Sequence, residues 1–147
     1  LTYRFNEIID RIPTMTFNKN REKDIYRILA SAHQALGNSE LAKKEYLTAL
    51  DKDGLNPDIL TEASIFLRKN NELKQAYEII STAVNLYPDH GNINKEFCLQ
   101  ALKRGEYNIA EQTLGDLSEI LNPEDFDTFK KKYEELENKI GLNNENW

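Results

Sequence analysis

The stretch GNSELA at residues 37–42 joins a polar turn to a helix-forming segment, and its outline returns twice at a fixed interval. NELKQA follows at residues 71–76 and GEYNIA at residues 105–110, each 34 residues further along the chain. Each stretch begins with Gly or Asn, which accept the left-handed backbone conformation that ends a helix. This regularity predicts repeated helical hairpins, because two short helices cannot bury their own apolar faces and must stack on a neighbouring pair.

Small residues recur at the same interval on both sides of the turn. After the turn, alanine returns at Ala42, Ala76 and Ala110. Before the turn, the corresponding column is also small and consists of Ala30, Ser64 and Cys98. Because small side chains let helix backbones approach closely, we expect both columns to lie where helices touch.

Two helix starts are marked by capping signals. Asn56-Pro57-Asp58 and Asn122-Pro123-Glu124 each combine a capping residue, a proline at the first helical position and an acid near the positive end of the helix dipole. With the apolar periodicity, these signals predict an all-helical chain. The predicted helices cover residues 2–12, 20–36, 39–52, 57–70, 73–86, 92–104, 107–121 and 124–140.

In these columns the chain resembles the tetratricopeptide repeat (TPR) family, whose helix-turn-helix unit of about 34 residues favours small residues in both helices and Gly at the turn. The resemblance implies an all-α solenoid of stacked antiparallel helix pairs, a TPR-like superhelix. Its three repeats would cover residues 23–56, 57–90 and 91–124. An N-terminal helix and connecting loop at 1–22 and a C-terminal capping helix and tail at 125–147 would flank them.

Both ends of the chain carry an amphipathic stripe. The C-terminal stripe has alternating spacings of three and four and consists of Phe126, Phe129, Tyr133, Leu136 and Ile140. It would either cover the end of the stack or pair with a partner, and we favour the cap because about two heptads are short for a coiled coil. The N-terminal stripe, an expected cap or the second helix of an earlier unit, consists of Leu1, Phe5, Ile8, Ile9 and Ile12. A loop is expected over residues 13–19, with Met15 and Phe17 against the stack.

Composition restricts the partners and the compartment. The formal net charge of −6 disfavours nucleic acid and anionic membranes, because both attract basic patches. No apolar run reaches membrane-spanning length, and the single cysteine, Cys98, excludes an intrachain disulfide and favours a reducing compartment. We therefore expect a cytoplasmic protein. The first residue is Leu1 rather than Met, which leaves open that the chain is a segment of a longer polypeptide.

Catalytic and metal-binding patterns are missing from the sequence. Neither His33 nor His90 has a second His or Cys four residues away, so no helical metal pair is predicted. We expect His33 to be a partly buried core residue, His90 to cap a helix or face solvent, and Cys98 to be buried and unreactive. The sequence thus predicts a protein that is not an enzyme and needs no cofactor or metal.

The family resemblance also implies a binding surface, because the first helix of each unit lines the concave side of such a stack. On this chain the lining would carry an exposed apolar stripe of Ile28, Ile65, Leu99 and Leu102, edged by four acids and five bases. Such a surface suits an extended peptide or an amphipathic helix. The candidate binding residues are Arg27, Ile28, Ser31, Glu62, Ile65, Arg68, Lys69, Lys95, Glu96, Leu99 and Leu102.

One type of ligand is disfavoured by charge. Repeats that clamp the terminal carboxylate of heat-shock chaperones use basic residues and asparagines, at positions that here hold Arg27, Ser31, Glu62, Asn92 and Glu96. The two glutamates would repel the ligand's carboxylate. We therefore expect that the groove does not bind chaperone tails in this mode.

The predicted function is a non-catalytic protein-protein interaction module that holds a peptide or helix of a partner. Two alternatives stay open: a dedicated chaperone or secretion-type cochaperone for one client, and an assembly or signalling segment of a larger multidomain protein. The expected partner is a protein or peptide, with no nucleic acid and no membrane. Self-association through the terminal helices is a further option.

Overall fold

The computed structural model of the chain describes residues 2–12 and 21–145, and within these ranges it contains eight α-helices and no strand. The helices are α1 Thr2–Arg11, α2 Glu22–Ala35, α3 Ser39–Lys52, α4 Pro57–Lys69, α5 Leu73–Leu86, α6 Gly91–Lys103, α7 Tyr107–Ile120 and α8 Pro123–Glu145. The predicted all-α class is confirmed. Helix α8 extends beyond its predicted end because Gly141 adopts the helical conformation. The expected loop at 13–19, with Met15 and Phe17, lies outside the described residues.

The three turn residues share one backbone geometry. Gly37, Asn71 and Gly105 have positive φ angles of 79°, 63° and 77°. In each turn the next amide donates to the carbonyl five residues earlier, as from Asn38 N to His33 O at 2.8 Å. This is the Schellman arrangement, which satisfies the last carbonyls of a helix and requires a residue that tolerates the left-handed region. The predicted turn column is therefore confirmed.

Capping residues begin three helices. The Asn56 Oδ1 atom accepts from the Asp58 and Ile59 amides at 3.0 and 3.1 Å, and Asn122 Oδ1 accepts from the Asp125 amide at 2.8 Å. His90 Nδ1 accepts from the Ile93 amide at 3.3 Å, so the expected capping role of His90 is confirmed. These bonds satisfy amides that have no partner inside the helix.

Packing divides the chain into two compact units, Leu1–Ile79 and Ile80–Trp147. The boundary lies inside α5, so it does not coincide with the predicted ends of the repeats. Those repeat boundaries stay predictions. Each unit is built around its own buried cluster.

The core of the first unit joins α2, α3, α4 and α5. Its aromatic centre is the pair Tyr46 and Phe66, whose ring centroids lie 5.1 Å apart. Ala42 and Ala76 have no exposed surface in this cluster. Ser64 Oγ donates a hydrogen bond to the Ala76 carbonyl at 2.7 Å, so the two small-residue columns face each other across the hairpin of α4 and α5.

The second unit repeats this contact. Cys98 Sγ donates to the Ala110 carbonyl at 3.3 Å, across the hairpin of α6 and α7, and neither residue has exposed surface. Helix α8 places Phe129 and Tyr133 in the same cluster, and the rest of its apolar stripe packs against them. The stripe on α8 is therefore buried within its own unit.

Two glycine substitutions in the second unit should change stability in opposite directions. Gly105→Ala forces an alanine into a left-handed conformation and should lower the free energy of unfolding by about 1–2 kcal/mol. Gly115→Ala, at an exposed position inside α7, should raise it by about 0.5–1 kcal/mol because alanine favours the helix. Urea unfolding followed by circular dichroism measures both values. Equal effects of the two substitutions would contradict the assigned turn.

The small-residue contact should not tolerate a larger side chain. Ala76→Leu places three additional carbon atoms where the helices touch, and we expect it to lower the free energy of unfolding by about 1–3 kcal/mol. The matched control is Gln75→Leu at the exposed neighbouring position, for which a change within about 0.5 kcal/mol is expected. If both variants unfold at the same urea concentration, the proposed helix contact is wrong.

Candidate functional site

The first unit brings four of the predicted binding residues together around one pocket. The pocket has a volume of about 440 Å³ and lies where α1, α2 and α4 meet. Its apolar walls are Phe5, Ile8, Ile28 and Ala32. Its polar walls are Asp24, Arg27, Ser31 and Glu62. The site therefore combines apolar surface with charged groups, as expected of a surface that recognises a ligand.

An ion pair joins the two helices of the pocket. Arg27 Nε donates to Glu62 Oε2 at 2.9 Å, and Arg27 Nη2 donates to the other oxygen of the same carboxylate. Arg27 Nη1 also lies 3.4 Å from Asp24 Oδ1. The hydrogen bonds to Glu62 are the main cause of a raised pKa of Arg27, with Asp58 and Asp24 adding to it. A two-point contact of this kind fixes the orientation of both side chains.

Tyr46 supports the pocket from α3. Its side chain is 5% exposed and shares a hydrogen bond with Ser31. Burial raises the pKa of Tyr46, while the hydrogen bond to Ser31 acts in the opposite direction. The hydrogen bond with Tyr46 fixes the side chain of Ser31, so this part of the polar wall is already ordered in the free protein.

Ile28 is the most exposed apolar residue of the pocket. Its side chain is 49% exposed, unlike those of Ile25 and Leu29 on the same helix. Further along α4, Ile65 and Arg68 are partly buried and Lys69 is exposed. Their part in binding stays a prediction.

Three predicted binding residues of the second unit are not accessible. The expectation that Leu99 and Leu102 form an exposed stripe is wrong, because they are 6% and 0% exposed and belong to the core cluster. Both α7 and α8 pack on α6, so less of its surface stays open than the prediction assumed. Glu96 is 5% exposed, and its Oε1 atom accepts from Gln100 Nε2 at 3.0 Å. Lys95 stays partly accessible.

The predicted binding residues omit several contributors to the pocket, among them Phe5, Ile8 and Tyr46. Phe5 and Ile8 were assigned to an apolar stripe, but nothing in the stripe indicated that it would lie beside Arg27 and Ile28. Tyr46 lies in the core cluster and is absent from the predicted binding residues. The hydroxyl group of Tyr46 could have indicated this role, because a buried tyrosine hydroxyl usually forms a hydrogen bond with a neighbouring side chain.

The residues considered for chemistry have structural roles. His33 is 8% exposed, as expected for a core residue. Burial raises the pKa of the Cys98 thiol to about 12, so at neutral pH the thiol stays protonated and is a poor nucleophile. Within the described ranges, no group of three His, Cys, Asp or Glu residues is arranged to hold a metal ion. No helix in the same ranges is long and apolar enough to cross a bilayer.

Comparisons with known proteins agree with this architecture. A family profile described as YpiA-like, C-terminal tetratricopeptide repeats matches residues 28–90. The Sgt2 TPR domain from Aspergillus fumigatus superposes with a TM-score of 0.70 at 20% identity, over 84% of this chain and 82% of that one. YrrB, a TPR protein with an unusual peptide-binding site, gives a TM-score of 0.69 at 13% identity, over 87% of this chain and 64% of YrrB.

PilF of Pseudomonas aeruginosa is a further structural match, with a TM-score of 0.59 at 20% identity. The superposition covers 82% of this chain and 61% of PilF. This chain therefore spans less than two thirds of PilF and of YrrB. At these identities the matches establish the fold alone. Among curated protein sequences, none matches this chain significantly.

Repeated antiparallel helix pairs, left-handed turns every 34 residues and buried small-residue columns define a helical-repeat protein. The profile match and the superpositions specify the repeat type. The chain has the tetratricopeptide repeat fold, and its residues 28–90 match a tetratricopeptide repeat profile.

The pair Arg27 and Glu62 should contribute measurably to the first unit. In a double-mutant cycle with Arg27→Gln and Glu62→Gln, we expect a coupling energy of about 1 kcal/mol, the upper end for partly exposed pairs, because the contact is two-pointed. A control cycle at Lys52 and Glu22, joined by one contact of 3.5 Å, should give a smaller value. Urea unfolding supplies the free energies. A coupling at Arg27 no larger than the control would show that the pair is not formed in solution.

Proposed function

We propose that the protein is a non-catalytic interaction module that binds a peptide or helix of a partner on the face formed by α2 and α4. The observation that carries the proposal is the pocket of the first unit, where exposed apolar surface at Ile28 lies beside the ordered pair of Arg27 and Glu62. Tetratricopeptide repeats bind protein or peptide partners, so a partner-binding face is expected of the chain. We propose in addition that this face lies on α2 and α4.

Order in the free protein favours binding at this face. The polar walls are held by the contacts of Arg27 with Glu62 and of Ser31 with Tyr46. A surface whose side chains are already fixed loses little conformational entropy when a ligand docks. Ile65, Arg68 and Lys69 on α4 stay candidate contacts of this face, whereas Lys95 lies in the second unit and stays a separate prediction. Leu99, Leu102 and Glu96 are left out because they are buried.

The proposed mode differs from a carboxylate clamp. Arg27 is the cation at the clamp position of the first repeat, and Glu62 already occupies it with both oxygens. A ligand carboxylate would have to displace Glu62 and would approach Asp24 and Asp58 as well, at an electrostatic penalty. We therefore expect the affinity to come from contacts with side chains along the peptide rather than from its C-terminal carboxylate.

A non-catalytic role in a reducing compartment such as the cytoplasm is part of the proposal. The single cysteine lies in the core with its thiol hydrogen-bonded to a carbonyl, which suits a structural residue. The charged residues of the pocket are paired with each other, whereas catalytic groups would have to act on a substrate.

The test begins with a peptide display library selected against the full chain. A selected peptide, synthesised and labelled, should lose at least about tenfold in affinity with the Ile28→Asp variant, because a charge replaces an apolar contact. The control is Leu41→Asp on α3, where the leucine is 47% exposed, close to the 49% of Ile28. This control should bind normally, and both variants should keep the wild-type thermal melting curve.

The same peptide with a free and with an amidated C-terminus distinguishes the binding mode. Equal affinities are expected, measured by fluorescence polarisation. The location is wrong if Ile28→Asp leaves the affinity of every selected peptide unchanged. The mode is wrong if amidation of the C-terminus abolishes binding.

A further inference from the structure

We infer that the pocket between α1, α2 and α4 selects partner segments in which a large apolar side chain is flanked by lysine or arginine. This inference rests on the function proposed above and adds the chemistry of the ligand. The charge of the rim and the apolar character of the walls both favour such a segment.

Acidic groups outnumber basic ones at the pocket. Asp24 and Glu62 line it together with Arg27, and Asp58 acts on the same guanidinium from the first turn of α4. Three carboxylates thus surround one cation, which leaves an excess of two negative charges. Because the cation is held by Glu62 at two points, it is not available to a ligand anion.

The cations Lys23 and Arg11 do not offset this excess. Lys23 on α2 donates to Asp53 at 2.8 Å, so the positive charge that it brings near Asp24 is paired with a further carboxylate. On α1, Arg11 lies 2.6 Å from Glu7, so these two charges cancel each other. The acidic character of the rim therefore persists when the surrounding ion pairs are considered.

The acidic side chains follow the direction of the two helices. Asp58 and Glu62 are four residues apart on α4, which places them one turn apart on the same face. Asp24 and Ile28 have the same spacing on α2. An acidic group thus lies one helical turn from the exposed isoleucine, so a ligand cation three or four residues from its apolar anchor can reach it.

The walls favour an apolar anchor. Phe5 and Ile8 of α1 face Ile28 and Ala32 of α2 across the cavity. Its volume of about 440 Å³ lies within the range of roughly 300–1,000 Å³ that is typical of ligand pockets. A leucine, methionine or aromatic side chain would replace water against these walls, while the flanking cation stays at the acidic rim.

Three synthetic peptides test this selectivity. They share the apolar positions of a peptide selected by display, are capped at both ends, and carry Lys, Gln or Glu at the two flanking positions. On the full chain at low salt, we expect the Lys peptide to bind roughly tenfold more tightly than the Glu peptide, with the Gln peptide between them. The difference should shrink when salt is raised to about 1 M, where screening acts over roughly 3 Å.

Matched variants assign the selectivity to the pocket. Asp24→Asn should reduce the ratio of Lys to Glu affinities at least twofold, whereas Asp51→Asn, at an exposed acid on α3, should leave it unchanged. Equal affinity for all three peptides would overturn the charge selection and leave the binding function intact. Failure of every peptide to bind would instead contradict the proposed function itself.

Discussion

In each unit, two helices approach so closely that a side chain of the first reaches a backbone carbonyl of the second. Ser64 and Ala76 make this contact in one hairpin, and Cys98 and Ala110 make it in another. Only small side chains fit there, because a larger one would push the helices apart. In the first unit the buried cluster that contains Ala76 also contains Ala30 of α2 and Ala63 of α4, the two helices that carry Arg27 and Glu62.

Much of the fold could be predicted because its signals are local. A turn needs one residue that accepts a positive φ, and Gly37 and Asn71 provide it within their own segments. Helix starts likewise depend on a capping residue such as Asn56 and the two amides that follow it. Superposition on the Sgt2 domain at 20% identity is consistent with this, because few positions have to be preserved to keep the architecture.

The candidate site was harder to predict because its contacts connect distant parts of the chain. No local signal indicates that α1 places Phe5 beside α2, or that Glu62 binds Arg27 rather than a ligand. The burial of Leu102 depends on the helices packed around α6, which the periodicity of α6 alone does not contain. Local signals thus determine where helices begin and end, whereas tertiary packing decides which of their residues a partner can touch.

The close approach of the helices can be observed directly in solution by nuclear Overhauser spectroscopy on the full chain. The account predicts cross-peaks between the β-protons of Ser64 and backbone protons next to the Ala76 carbonyl, with equivalent cross-peaks between Cys98 and Ala110. Neither alanine methyl group should show a nuclear Overhauser cross-peak to water, since neither residue has exposed surface. The close packing of these helices would be contradicted if the methyl groups of Ala76 and Ala110 contacted water and gave no cross-peak to the facing helix.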